Sequence, residues 1–167
     1  MNEQDFVTTI LVDKTPAEVF NAINNPRGWW SEEITGNAEK VNEVFCYHFE
    51  DIHRCKVRVN ELTRDQKVVW YILENDFNFT KDKSEWVGTK VTFEICPQGE
   101  KTAVVFRHIG LVPDCECYEA CHQGWTHYIG TSLKNYIHTG TGNPNKTGAS
   151  QTPTEEKLSS PGGTRQA

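Results

Sequence analysis

Long apolar runs are missing from this chain. No stretch approaches the roughly 18 consecutive apolar residues of a membrane-spanning helix. The opening MNEQDFVTTILVDK is broken by charge, so it lacks the apolar centre of an export signal. Positive charge is also scarce. With 17 Lys and Arg against 23 Asp and Glu, the net charge is −6. That balance argues against unaided binding to nucleic acid or to an anionic membrane, since both need a positive field. Phosphate-cradling glycine loops, nucleotide fingerprints and nucleophile signatures are absent, and no internal repeat is visible.

These absences bear on the cysteines. Cys46, Cys55, Cys96, Cys115, Cys117 and Cys121 are too few, in a chain of 167 residues without an export signal, to read as a secreted disulfide scaffold. They are expected as free thiols in the cytoplasm.

What the chain has in quantity is aromatic residues: five Trp, five Tyr and eight Phe, concentrated before residue 139. The most informative stretch is DCECYEACHQGWTHYIGTSLKNYIH, residues 114–138. Tyr118, Cys121, His122, Trp125, Tyr128, Ile129, Ser132, Leu133, Tyr136 and Ile137 recur at steps of three and four, the period of one helix face. Some 20 residues of helix span about 30 Å, enough to cross a small domain. The stripe combines aromatic bodies with polar tips, which need partners when buried. Such a face suits the wall of a partly hydrated pocket, and it also suits an aromatic-rich core.

Upstream, residues 5–13 read as a β-branched strand. Thr15-Pro16-Ala17-Glu18 is a capping box with proline at the first helical position, and Asn24-Asn25-Pro26 ends that helix. Arg27-Gly28-Trp29-Trp30 begins a short helical turn. Residues 41–50, 54–62, 67–73, 89–96 and 102–109 alternate as strands. In the second of these, Cys55, Val57, Val59 and Glu61 share the inward face. Residues 74–85 are expected to be a loop or irregular edge strand. Residues 139–167 are dominated by Gly, Thr, Ser, Pro and Asn, with Leu158 as the one large apolar residue, and are expected to be a disordered tail behind a domain of residues 1–138.

This order of elements predicts an α+β fold in which a curved antiparallel sheet needs a cover, and the last helix is the only element long enough to supply it. The strand followed by TPAEVFNAI, the NPRGWW segment, WVGTKVTFEI, AVVFRHIGL and CHQGWTHYIGTSLKNYI resemble the START-like SRPBCC superfamily of helix-grip proteins. Within it, the chain is most similar to bacterial homologues of the activator of the heat-shock chaperone ATPase. The resemblance spans about residues 5–137. It implies two short helices after the first strand, a long C-terminal helix gripped by the sheet, and a cavity between them for a small apolar or amphipathic molecule. A chaperone partner and a stress-response role are its second implication. The co-chaperone carries a further N-terminal domain with no counterpart in these residues. Other members of the superfamily use the cavity for cyclisation, dehydration or hydrolysis.

The faces that would line such a cavity carry Trp30, Tyr47, Trp70, Phe93, Phe106, His108, Tyr118, His122, Trp125 and Tyr128. For acid–base work the candidates are His108, His122 and Glu61, with Tyr128 as a proton donor. Cys115, Cys117, Cys121 and His122 have ligand chemistry suited to zinc, but C-x-C-x3-C-H matches no common structural zinc spacing, and no metal or cofactor is expected. The overall expectation is a non-enzymatic carrier or sensor, monomeric or homodimeric.

Overall fold

The computed structural model describes residues 4–145 and 150–159. Seven strands form one antiparallel sheet in the order β1-β7-β6-β5-β4-β3-β2. They are β1 (Phe6–Val12), β2 (Thr35–Gly36), β3 (Val44–Phe49), β4 (His53–Thr63), β5 (Lys67–Phe77), β6 (Lys90–Gln98) and β7 (Lys101–Ile109). The chain returns at the end of the sheet, so that β1 pairs with β7, Phe6 opposite His108 and Val12 opposite Thr102.

Helix α1 (Pro16–Ile23) starts as its residues dictate: the Thr15 hydroxyl accepts from the Glu18 amide, and the Glu18 carboxylate returns to the Thr15 amide. A 3-10 turn, Pro26–Gly28, follows. Amides of Trp29, Trp30 and Ser31 all converge on the Pro26 carbonyl at 3.3, 2.7 and 3.2 Å. That tight turn sends both indoles into the interior, where each is nearly fully buried.

The cover is one continuous helical rod in three parts: α2 (Tyr118–His127), a π-helical turn (Tyr128–Leu133) and α3 (Lys134–Thr139). It begins at Tyr118, where the three- and four-residue pattern begins, and the turn before it is held from outside. Glu85 accepts the amides of Glu116 and Cys117 at 2.7 and 2.9 Å, and Glu116 in turn accepts those of Lys81 and Asp82. Cys121, Trp125, Tyr128, Ile129, Ser132, Leu133 and Ile137 are buried against the sheet, whereas His122 is exposed.

Two expectations need correction. Strand β5 runs past residue 73 to Phe77, into the stretch read as a loop or irregular edge strand, because it continues its ladder with β4, Phe77 opposite His53. Glu61 does not share the inward face of Val59. The register slips between these two residues, and a slip of this kind turns the side chain over to solvent. The described part of residues 139–167 lies against the domain. Asn145 is 1 % exposed and pairs with Ser31: its amide donates to the Trp30 carbonyl, and its carbonyl accepts from Glu32. A short helix, α4 (Pro153–Ser159), follows, with Leu158 buried. Residues 146–149 and 160–167 lie outside the described residues.

Candidate functional site

Between the sheet and α2 lies a cavity of about 60 Å³. Its aromatic walls come from Trp30 after the 3-10 turn, Tyr47 on β3, Trp86 in the turn after β5, and Trp125 and Tyr128 on the covering rod. Trp30 stacks on Tyr47 at 4.2 Å and leans on Trp125 at 5.1 Å, while Trp125 stacks on Trp86 at 5.7 Å. His53, Phe77 and Cys121 complete the sides, and Thr152, Glu155 and Leu158 of the C-terminal segment lie across it.

One wall is polar. Asn145 Nδ2 donates to the hydroxyls of both Tyr47 and Tyr128, each at 3.0 Å. The Tyr128 hydroxyl donates to Glu155 Oε2 at 2.7 Å. Burial raises the pKa of both phenols well above the usual value, and the neighbouring Glu155 charge adds to this, so both keep their protons at neutral pH. Burial likewise raises the Glu155 carboxyl. Of the buried polar atoms without a partner among the described residues, two belong to this cluster, Trp86 Nε1 at the cavity and Asn145 Oδ1 on the amide that bonds both phenols.

The histidines expected to act as acid or base fall into different environments. His108 is fully buried on β7 and satisfied at both nitrogens. Trp125 Nε1, a donor only, gives its proton to His108 Nδ1 at 3.1 Å, which leaves Nε2–H to donate to Thr89 Oγ1 at 2.8 Å. Thr89 passes the chain on to the Trp86 carbonyl at 2.6 Å. Burial, reinforced by His53 nearby, depresses its pKa to about 3. This imidazole is a neutral strut, with no carboxylate bonded to it. His53 is the second buried histidine, and burial takes it down to about 4. Asn75 donates to the Lys83 carbonyl, so its Oδ1 accepts from His53 Nε2–H at 2.7 Å. His122 lies on the exposed side of the rod, edge-on to Phe6 at 5.3 Å, and Glu61 accepts a bond from Thr63 on the surface. No pair among His108, His122 and Glu61 meets.

Of the residues expected to line the cavity, Trp30, Tyr47, Trp125 and Tyr128 come together around it. Trp70, Phe93 and Phe106 are wholly buried one layer behind: Trp70 stacks with Trp29 and Trp30, and Phe93 meets Phe106 edge-on at 5.1 Å. Tyr118 sits beside His122, away from it. His53, Trp86 and Glu155, which also line the cavity, and Asn145, which bonds two of its phenols, are not among the expected residues, whereas Cys121 lies on the helix stripe read as a wall. The alternation of β4 puts His53 on the same face as Cys55 and Val57, which was the available signal for it; Trp86 and Glu155 lie in stretches whose composition signals no wall. Among the described residues no three His, Cys, Asp or Glu side chains converge on a point. Cys115 Sγ turns to the Gly110 carbonyl, and Cys117 sits one helical turn from Cys121.

A curved antiparallel sheet wrapped on a long C-terminal helix, with an aromatic cavity between them, defines the helix-grip class. Residues 13–138 match the family described as activator of Hsp90 ATPase homolog 1-like protein, and the chain belongs to that family. Among solved structures it is similar to the Aha1 dimer from Colwellia psychrerythraea (21 % identity over 83 % of this chain and 99 % of that one, TM-score 0.67). It is also similar to protein MLL2253 from Mesorhizobium loti (14 % identity, 80 % and 96 % coverage, TM-score 0.64) and to CalU16 from Micromonospora echinospora (11 % identity, 92 % and 80 % coverage, TM-score 0.58). At these identities the likeness is one of fold. No curated relative matches the chain in sequence. No helix among the described residues is long and apolar enough to cross a membrane.

Proposed function

We propose that this protein binds a small apolar or amphipathic molecule between its sheet and its C-terminal helix, as a carrier or sensor rather than as a catalyst. The observation that carries this reading is the composition of the cavity. Trp30, Trp86 and Trp125 supply rigid apolar walls, and a few polar groups are placed among them, chiefly the hydroxyls of Tyr47 and Tyr128, which accept from Asn145, and the Glu155 carboxyl. Ligand sites typically have this form, mostly apolar surface with a few placed hydrogen-bonding groups. Chemistry is not favoured, because the buried histidines are neutral and either fully bonded (His108) or bonded to an amide (His53), far from the poised acid–base pair that proton transfer needs. The test is a panel of small aliphatic and aromatic amphiphiles, followed by tryptophan emission and melting temperature. A saturable change in both for at least one chemical class is expected; a flat response across the panel contradicts the reading.

Family membership supports a second reading, a surface that docks on a chaperone. The outward face of β1 and β7 leaves Val7, Leu11 and Ile109 at 42, 46 and 40 % exposure, which gives such a surface an apolar component. Stimulation of the host chaperone's ATPase, lost on Leu11→Asp, is the expected result under this reading. No association in a pull-down counts against it.

A further inference from the structure

The cavity is too small for the molecules it suits. At about 60 Å³ it has room for a few waters, whereas sites for small organic ligands run to roughly 300 Å³ or more. What closes it is identifiable. Thr152, Thr154, Glu155 and Leu158 lie on its walls, and all four belong to the C-terminal segment. Leu158 is buried to 8 % exposure. Thr154 is tied to Gln123 on α2 through both its amide and its hydroxyl, at 3.2 and 2.7 Å, and Glu155 is tied to Tyr128 on the rod.

The segment depends on the domain for its structure. Its helix has seven residues, too short to persist in water without tertiary support, and Leu158 is its one large apolar side chain packed on the domain. Segments with few buried apolar contacts open at free energies well below that of global unfolding.

Its chemistry also describes an occupant. Glu155 and Leu158 are three residues apart on one helix face, so the segment presents a carboxyl group and a branched alkyl group together to the cavity. The carboxyl accepts a hydrogen bond from the Tyr128 hydroxyl, and the alkyl group lies at the aromatic walls. A ligand bearing a carboxylate on an apolar body would replace both groups in kind. It would bring no new charge to the site, because the carboxyl of Glu155 leaves as its own arrives. Trp86 Nε1, at the wall and without an acceptor among the described residues, is a second donor of the polarity such a ligand needs.

We propose that residues 151–158 are a tethered occupant of the cavity, displaced on binding by an amphipathic monocarboxylate whose carboxylate takes the place of Glu155 on Tyr128. This inference rests on the ligand-binding reading above.

The test uses the full chain, with decanoate and 1-decanol as probes, both below their aggregation limits. Tryptophan fluorescence reads binding, and hydrogen exchange of residues 151–158 reads the segment. Decanoate is expected to bind the wild type and to abolish protection of the Thr154, Glu155 and Glu156 amides, which are bonded to Gln123 and Thr152 in the closed form. Leu158→Asp is expected to tighten decanoate at least ten-fold, and decanoate to outbind decanol at least ten-fold, a preference that Tyr128→Phe removes. If decanoate binds the wild type while these amides stay protected, or if Leu158→Asp leaves its affinity unchanged, the displacement proposal is overturned and the ligand-binding reading stands. If decanol binds as tightly as decanoate, the carboxylate class is overturned. If neither probe binds the wild type or Leu158→Asp, the ligand-binding reading fails for single-chain amphiphiles, and this inference falls with it.

Discussion

Tyr128 and Glu155 meet across 27 residues of sequence, hydroxyl to carboxylate at 2.7 Å. The bond joins the covering rod to the C-terminal segment, and through Asn145 it reaches Tyr47 on the sheet. Three separate parts of the chain therefore share one hydrogen-bonded cluster at the cavity. Removing a member leaves buried groups without partners, which costs more than the bond itself contributes. Tyr128→Phe should destabilise the fold by about 1–3 kcal/mol in chemical denaturation. In a double-mutant cycle with Glu155→Gln the coupling should be about 1 kcal/mol, and a coupling near zero would show that the pair does not act together.

Acid should weaken this protein through its two buried histidines. An unfolded histidine takes up its proton near pH 6.5, whereas folded His53 resists down to about 4 and His108 to about 3. With folded-state values depressed, the unfolded chain binds more protons between these limits. The stabilisation from the neutral rings is then present above about pH 6.5 and is lost progressively as pH falls toward the folded values. For His53 the loss amounts to about 3 kcal/mol. Urea midpoints measured from pH 7.5 to 4 should fall, and His53→Gln should flatten the slope. A midpoint independent of pH over that window would show that these rings are not held neutral.

Reading the sequence locates the frame better than the site. The capping box at Thr15 and the stripe of Trp125, Ile129 and Leu133 are local patterns, and local patterns survive into the fold. Glu61 shows how such reasoning fails. Its two-residue alternation is intact in the sequence, but the slip next to Val59 comes from pairing with β5, which a single strand does not reveal. Trp70 and Trp30 are equally aromatic and inward-facing, and only the depth of packing puts one at the cavity wall and the other behind it. Leu158 was invisible for a different reason: an isolated leucine among polar residues signals nothing until there is a surface for it to meet.

Glycine positions in the C-terminal half separate steric need from flexibility. A Cβ on Gly142 would stand 2.4 Å from the Gly28 carbonyl oxygen, and backbone on both sides leaves it little room to shift. Gly142→Ala should cost about 1–3 kcal/mol. Gly130, in the π-helical turn, has nothing within 4 Å of the same atom. There alanine should be neutral or should stabilise by up to about 1 kcal/mol. Thermal denaturation of the two variants should move in these different directions, and equal losses would contradict the close crossing of residues 28 and 142.

Trp125 links the cavity wall to the buried strut beneath it, stacking on Trp86 while its indole N–H holds His108. Trp125→Phe keeps an aromatic wall but leaves His108 Nδ1 without its donor. The expected cost is about 1–3 kcal/mol of stability in chemical denaturation. Nδ1, relieved of its donor, should also protonate at higher pH, so the His108 pKa followed by NMR should rise from about 3. An unchanged titration would mean that the indole does not set the state of this ring.

The central claim, that the space between sheet and helix holds a small molecule, is tested most directly by native mass spectrometry of the protein purified from its own host, with organic extraction of the same sample. The account predicts a bound species of a few hundred daltons that is released on denaturation and reduced in a variant with Trp30 and Trp125 both changed to alanine, provided that variant remains folded by circular dichroism. A bare polypeptide mass in every preparation, with nothing in the extract and no change in tryptophan emission on adding amphiphiles, would contradict it.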